Sequence, residues 1–357
     1  MSNPDNFITV PYNPAPTDFS IVECGAESSA AWNSFVENAS GTYCHLFGWK
    51  QVFERTYGLQ THYLVLRSAE AWLGILPLAV MPNLPGSAVK AVSLPYCNYG
   101  GLLAASGIDA EPLKAVAIKY LTKIGVGKIE FRDIAPGMAD ADEVTMVLTL
   151  PENPELLWKQ VSDKVRNQVR KAQRSGLTLR WGSDQGDELY AIYAKNMGRL
   201  GTPVHSPKFI KEILSNLGDC ADVLTVRHEE RAIGAMLVIK QGDTWSDPMA
   251  SCLAEFNKFN PNMLMYWEAL RAACDAGAKS FDFGRSQKDS GTYRFKKQWG
   301  TNEVALNYHN YESGALLPSV STHFYRGQSA SKLASIWRQL PVLVQGQLGP
   351  LVRRWLP

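Results

Sequence analysis

The sequence predicts an α+β fold of two similar lobes, each a mixed, largely antiparallel sheet flanked by helices, with a helical tail after them. Three observations lead there. Each half of the chain reads helix, helix, antiparallel strands, helix, strand, an order that suits α+β packing and not a doubly wound parallel sheet. The halves also correspond in sequence when position 41 is set against 201: Gly41, Thr42 and His45 meet Gly201, Thr202 and His205, Gly58 meets Gly218, Leu64 meets Leu224, and Arg67, Glu70 and Gly74 meet Arg227, Glu230 and Gly234. With 125 set against 277, Gly125 meets Gly277, Glu130 meets Asp282 and Phe131 meets Phe283. Identities at fixed offset read as an ancient duplication. Finally, 357 residues suit two domains at roughly 100–200 residues each.

The elements follow in order. Residues 1–19, rich in Pro and Asn, read as a loose arm, without the basic and apolar regions of a signal peptide. Helices are expected over 28–39 and 47–57, strands over 61–67, 72–81 and 89–94, a helix over 111–124, and strands over 128–133 and 144–150. Pro151-Glu152-Asn153-Pro154 interrupts the pattern and marks the domain boundary, giving lobes 20–150 and 151–312. A helix over 155–175 is closed by Gly176, followed by a strand over 177–181 and helices over 188–199 and 207–217. Strands over 223–227, 232–240 and 243–253 read as a meander. Asn260-Pro261 opens a helix to 276, with Asn as N-cap and Pro at the first helical position. Strands are expected over 280–283 and 303–309, and a tail over 313–357.

Composition narrows the function. A net charge of +2 argues against a broad polyanion-binding surface, so any basic site is local. The six cysteines, with no Cys-x-x-Cys pair, and six dispersed histidines predict neither a metal site nor a disulfide framework and suit a reducing cytosol. No apolar run reaches the ~20 residues that span a bilayer. The expected location is cytoplasmic, peripheral to the inner membrane if the tail touches it. That tail mixes Ile336, Trp337, Leu340, Leu348, Leu351 and Trp355 with Arg338, Arg353 and Arg354. Such a segment lies on a membrane surface or packs on the second lobe.

Chemistry concentrates near the end of the second lobe, in Phe281-Asp282-Phe283-Gly284-Arg285-Ser286 and Gly291-Thr292-Tyr293-Arg294-Phe295-Lys296-Lys297-Gln298-Trp299-Gly300. On a strand the two phenylalanines share one face and Asp282 takes the other, and Gly284 permits a sharp exit. Asp282 is there a candidate proton acceptor, and the cations candidates for holding phosphate or carboxylate. A structural Asp282–Arg285 ion pair beside a solvated basic turn is the alternative. On the 155–175 helix, at about 100° per residue, Leu157, Val161, Val165, Val169 and Ala172 form one face, and Lys159, Arg166, Arg170 and Arg174 a cationic ridge opposite.

These segments resemble Fem-like proteins, relatives of peptidoglycan-bridge aminoacyltransferases with tandem GNAT-like domains. The likeness rests on the Asp-Phe-Gly-Arg and Gly-Thr-Tyr-Arg-Phe-Lys-Lys-Gln-Trp-Gly runs, on residues 165–176, and on Asn260-Pro261-Asn262-Met263-Leu264-Met265-Tyr266-Trp267-Glu268-Ala269. It is strong over 155–311, weaker before, and runs toward the branch associated with exosortase/PEP-CTERM and exopolysaccharide systems. The resemblance implies two tandem GNAT-like lobes and transfer of an acyl or aminoacyl group, from acyl-CoA or aminoacyl-tRNA, to an amine or hydroxyl of a cell-envelope or exopolysaccharide precursor. A glycan- or lipid-linked precursor, and tRNA, are the partners it suggests. In GNAT folds the strand equivalent to 247–253 splays from its neighbour and its N–H groups polarise the acyl carbonyl; Pro248, which cannot donate to a ladder, suits that splay. Met249, Ala250, Ser251, Asn260 and Asn262 are the resulting donor-binding candidates, although the GNAT pyrophosphate signature is absent before Pro261. Asp282, Arg285 and His205 are the catalytic candidates, and Arg166, Arg170, Lys171, Tyr293, Lys296, Lys297 and Trp299 the substrate-binding ones. No metal is expected. The rival reading is a catalytically inactive GNAT-like protein that binds a polysaccharide precursor or a biosynthetic partner.

Overall fold

The computed structural model describes residues 19–69, 71–135, 137–138, 141–312, 315–318 and 328–356. The expected arm up to residue 18, and Glu70, lie outside them. The first half comprises β1 (Ser20–Glu23), α1 (Ser29–Asn38), α2 (Trp49–Tyr57), β2 (Thr61–Ser68), β3 (Ala71–Val80), β4 (Lys90–Val92), β5 (Leu103–Ala104), α3 (Ala110–Lys123), β6 (Lys128–Ile134) and β7 (Glu143–Thr149). The second comprises α4 (Pro154–Gln160), α5 (Asp163–Gln173), β8 (Leu177–Trp181), α6 (Gly186–Leu200), α7 (Pro207–Leu217), β9 (Ala221–His228), β10 (Arg231–Gln241), β11 (Thr244–Cys252), α8 (Pro261–Asp275), β12 (Ser280–Gln287), α9 (Gly291–Lys297) and β13 (Asn302–Glu312). β14 (Ala315–Pro318), α10 (Gln328–Gln339) and α11 (Val342–Arg353) close the chain.

The duplication is visible in how equivalent helices stop. After α3, Gly125 takes a left-handed φ of +94° and Val126 N–H bonds back to Leu121; after α8, Gly277 takes +79° and Ala278 N–H bonds back to Ala273. Both are glycine C-caps, a backbone conformation that costs other residues a Cβ clash.

The strands run β1-β2-β3-β4-β6-β13-β7-β12-β11-β10-β9-β8 in one sheet, with β14 beside β13 and β5 beside β3. Strand pairing crosses residue 150. β7 pairs antiparallel with β12 in the second lobe, while β13 pairs with β7 over Asn302–Ala305 and then with β6 of the first lobe over Leu306–Glu312. The closing strand of each half therefore reaches across to the other, and β13 joins the two halves of the sheet.

The core crosses the boundary too. α2 and α7, equivalent helices of the two halves, pack together through Trp49 and Tyr57 against Phe209, with ring centroids 6.4 and 5.9 Å apart. One apolar cluster runs from Trp32, Phe47 and Phe53 through Phe209 and Ile213 to Val223 and Leu237, all essentially without exposure. At about 1.5–3 kcal/mol for each large apolar side chain buried, this shared cluster fixes the lobes against each other.

The helix expected over 155–175 is two helices. The chain extends at Val161 and Ser162 (ψ 145° and 156°), and Ser162 Oγ then caps α5 by accepting from Val165 N–H at 3.4 Å. Arg166 staples the break: its guanidinium donates to the carbonyls of Trp158, Lys159 and Val161 at 2.7–3.2 Å, which are otherwise orphaned at the α4 C-terminus. Asn260 differs as well. It is left-handed (φ +55°) and its side chain caps nothing, though Pro261 does begin α8.

Candidate active site

β11 and β12 are parallel neighbours for three residue pairs only, Thr244↔Ser280, Trp245↔Phe281 and Ser246↔Asp282. Beyond Ser246 β11 stays with β10 through a bulge: Ile239 faces Ser246 and Leu237 faces Met249, so Asp247 and Pro248 stand opposite Val238 alone. Pro248 has no N–H to give a ladder, and a bulge is where a strand tolerates that. β12 bends the other way at Gly284 (φ +74°), where its pairing with β7 is also interrupted. The sharp exit expected at Gly284 is therefore a bulge within a strand that runs on to Gln287. A Cβ on Gly284 would meet Asn98 Nδ2 at 2.8 Å, a second reason for glycine there.

Where β11 leaves β12, a cavity of about 380 Å3 opens against β11, α8 and α9. Ala250, Ser251 and Cys252 of β11 form one wall, Asn262 and Tyr266 of α8 another, and Thr292, Phe295 and Lys296 of α9 a third; Asn196 and Arg199 of α6 close the rim. The first lobe has a smaller cavity, of about 240 Å3, at the corresponding place, lined by Gly100, Gly101, Ala110, Lys114 and Arg132. β4 and β6 also pair over three residues, Lys90–Val92 against Lys128–Glu130, but the chain then folds back and Gly100 and Gly101 both donate N–H to Arg132 O at 3.0 Å.

Three polar side chains, Asp247, Tyr266 and Lys296, come together at the vertex where the strands part, and of these Tyr266 and Lys296 line the cavity. Asp247 is buried, accepts from Tyr266 Oη on one carboxyl oxygen, and has no partner on Oδ1. Burial pushes its pKa up to about 8, with the Lys296 charge pulling the other way. Tyr266 stacks on Phe283 with rings 5.1 Å apart, and its phenol is pushed well above the ordinary range by burial and by Asp247. Lys296, also buried, donates to the carbonyls of Gly284 and Arg285 at 2.9 and 3.0 Å. That leaves one of its three N–H groups for the cavity it lines. Burial lowers its pKa, opposed by Asp247 and Asp282.

Asp282 lies behind this vertex, on the lobe interface. It is 2% exposed and does not line the cavity. Tyr99 Oη and Thr145 Oγ1 donate to its oxygens, as does Gly284 N–H at 2.8 Å. The polar-aromatic turn at Tyr96–Gly101 is thus the first lobe's contact with the second: Tyr99 holds Asp282, and Tyr308 Oη donates to Asn98 O. Glu130, the matching position in the first lobe, is buried as well. Burial alone would raise its carboxyl, but Arg132 and Lys90, at 2.8 and 2.6 Å, hold it below its usual value.

The other expected site residues divide sharply. Ala250, Ser251, Asn262 and Lys296 line the cavity, and Asn196 Nδ2 donates to Ser251 Oγ at 3.2 Å. Met249 packs into the apolar cluster shared by the lobes, on the side away from its neighbour Ala250. Asn260 is at the helix start beside the cavity but not among its lining residues. Trp299 is core, packed on Tyr266 and Phe283. Tyr293 and Lys297 turn outward onto Glu303, and Arg285 is exposed near Glu143 at 3.5 Å. The ridge faces elsewhere: Arg166 closes the α4–α5 break, Arg170 lies over the Trp158 ring at 5.3 Å, and Lys171 is on the surface. His205 is far from the wedge, stacked on Phe209 at 4.0 Å, bonded to Tyr57, and accepting at Nε2 from Arg353 at 3.1 Å. Burial and Arg353 keep it neutral by lowering its pKa well below the usual range. Its counterpart His45 is likewise buried, with Nδ1 facing Thr42.

Asp247, Tyr266, Asn196 and Arg199 were not singled out from the sequence. The one available signal for Asp247 was an acidic residue directly before proline inside an apolar strand.

Residues 159–297 match the family model described as an acetyltransferase (GNAT) domain. Over 83% of this chain and 98% of the other, the fold superposes on the crystal structure of FemX with a TM-score of 0.65 at 14% identity. The chain has the Fem-like tandem GNAT fold. A tandem GNAT protein from the clavulanic acid biosynthesis pathway is also similar, with a TM-score of 0.53, 15% identity, and 84% and 99% of the two chains covered. So is the C-terminal domain of a putative lysylphosphatidylglycerol synthetase from Agrobacterium fabrum (0.53, 13%, 81% and 92%). No curated protein sequence matches. In this GNAT frame the open wedge belongs to the second lobe, within the matched residues. Among the described residues no group of three or more His, Cys, Asp or Glu is placed to hold a metal ion, and no helix is long and apolar enough to cross a membrane.

Proposed function

We propose that this Fem-like protein transfers an acyl or aminoacyl group from an activated donor, acyl-CoA or aminoacyl-tRNA, to an amine or hydroxyl of a cell-envelope or exopolysaccharide precursor, at the wedge between β11 and β12. The observation that carries this reading is the buried, half-unpartnered Asp247, which accepts a hydrogen bond from Tyr266, a residue that with Lys296 lines the cavity. A carboxylate with a pKa near 8 is matched to proton abstraction near neutral pH. Tyr266 lines the cavity and touches Asp247, so it connects an incoming nucleophile to that carboxylate.

The chemistry follows from these positions. The nucleophile attacks the donor carbonyl carbon, and its proton passes through Tyr266 Oη to Asp247. The oxyanion is met by the spare N–H of Lys296 and by the β11 edge that has lost its β12 partner. The C–S or C–O bond to the donor breaks, and the leaving group departs with that electron pair and takes the proton back. Arg199 at the rim and the N-terminal end of α8 favour an anionic group on donor or acceptor. Likeness to the domain of a putative lysylphosphatidylglycerol synthetase supports aminoacyl transfer, and the match of residues 159–297 to an acetyltransferase (GNAT) model supports acyl-CoA. The sequence likeness to the exosortase-associated branch supports the precursor class.

The test is consumption of acetyl-CoA and, separately, of aminoacyl-tRNA in the presence of a panel of amines and amino sugars. Turnover with one donor, lost in Asp247→Asn, is expected. Binding of these ligands without donor consumption by the wild type would favour the inactive binding protein.

A further inference from the structure

The C-terminal helices present an apolar surface that no described residue covers. α11 is built against the body by one face only. Gln345 is buried with its amide on Trp337 O and Leu340 O, Gly349 lies 3.0 Å, measured from an added Cβ, from Val204, Arg353 donates to His205, and Arg354 O accepts from Tyr96 at 2.9 Å. The outward side carries Leu348, Leu351, Val352 and Trp355, exposed by 42%, 66%, 37% and 49%. Their spacing of i, i+3, i+4 and i+7 is that of a stripe a soluble helix normally buries. Leu333 and Ile336 on α10, 53% and 58% exposed, add to the same tail's apolar surface. Charge accompanies it with one sign. Arg338 and Arg354 are exposed, and the sequence contains no Asp or Glu after Glu312.

We propose that the α10–α11 tail is a membrane-docking surface that seats the protein on an anionic bilayer. An apolar helical stripe flanked by arginine and free of acid is complementary to a phospholipid interface, where leucine and tryptophan enter the headgroup boundary and cations meet acidic lipid. The anchoring of the other face to Tyr96 and His205 makes the tail a fixed platform, so docking orients the body. The orientation bears on the substrate. A second cavity of about 250 Å3, lined by Leu253, Arg338, Leu340 and Val342, shares Asn196, Arg199, Cys252 and Ala254 with the β11–β12 cavity. Val342, at its edge, is itself 62% exposed. A groove thus leads from the tail to the wedge, suited to an amphipathic acceptor presented by the bilayer. The docking surface stands independently of any catalytic assignment.

Flotation of the full-length protein with vesicles tests it, using phosphatidylglycerol mixed equally with phosphatidylcholine against phosphatidylcholine alone. Binding to the anionic vesicles that weakens with salt is expected, as screening requires. Leu351→Ser with Trp355→Ser, both exposed positions, should lower partitioning roughly 100-fold while leaving the melting temperature within about 3 °C. Arg338→Glu with Arg354→Glu should erase the preference for the anionic vesicles, roughly tenfold or more. Absence of wild-type binding, or equal binding by the serine variant, would overturn the proposal. So would sedimentation showing a wild-type dimer that the serine variant dissociates without any vesicle binding, since the stripe would then belong to a second copy of the chain.

Discussion

Asp247→Asn should make the protein more stable as the pH rises, relative to wild type. In the folded chain the Asp247 carboxyl titrates at about 8, raised by burial, whereas in an unfolded chain it titrates near its ordinary value of about 3.9. Between those values the folded state keeps a proton that the unfolded state has lost. Stability therefore falls with pH across this window, by up to about 1.4 kcal/mol per unit, and levels off above the folded pKa. From pH 5 to pH 8 that is roughly 4 kcal/mol lost by wild type and not by an asparagine, which cannot ionise but keeps an oxygen for Tyr266. At roughly 2 °C per kcal/mol, the variant's melting temperature relative to wild type should climb by about 8 °C over the same range. Differential scanning calorimetry of both proteins at half-unit pH steps measures it. Curves that stay parallel from pH 5 to 8 would show that Asp247 ionises normally in the folded protein, and the reasoning from its buried, unpartnered oxygen would fail.

Other outcomes follow from single contacts. Tyr99→Phe removes a donor from the buried Asp282 carboxylate and a tie between the lobes; a loss of about 1.5–3 kcal/mol in denaturant titration is expected, with KM changing less than about threefold. Arg166→Ala should cost about 1 kcal/mol by freeing the carbonyls at the end of α4, and leave acceptor KM unchanged because the residue lies off the cavity. Lys296→Met strips the cation from the vertex and should lower kcat by roughly 100-fold or more, with a loss of about 1–3 kcal/mol in stability because the carbonyls of Gly284 and Arg285 lose their donor.

What the sequence disclosed was mainly local. Helix ends marked by chemistry were readable, as at Pro207 and Gly277, and so were the strands of the two meanders. The α4–α5 break was hidden because Leu157, Val161, Val165 and Val169 keep a four-residue spacing straight through it, although Ser162-Asp163 is an N-cap signal. α9, seven residues long, is too short for periodicity and announces itself only through Ser290, whose hydroxyl caps Tyr293 N–H. The crossing of β7 and β13 depends on pairing between segments more than a hundred residues apart, which hydrophobic pattern does not encode. The site was partly legible. The strand break at Pro248 was readable, and Ser251 and Lys296, both expected near it, line the cavity. Asp282 drew attention as the carboxylate beside glycine, but the partners that occupy it come from Tyr99 and Thr145, far away in the chain. Asp247 was passed over because its burial, and the missing partner on Oδ1, are properties of packing alone.

The most direct measurement is the single-turnover transfer rate of wild type and Asp247→Asn from pH 6 to 10, with whichever of acetyl-CoA or aminoacyl-tRNA the protein consumes. Wild type should rise through an inflection near pH 8, the carboxyl being roughly one-tenth ionised at pH 7, and fall again as Lys296 loses its proton. The asparagine variant should be slower by roughly 10²–10⁴-fold and lose the rising limb. A variant that matches the wild-type rate and keeps that inflection would place the proton acceptor somewhere other than the β11–β12 wedge.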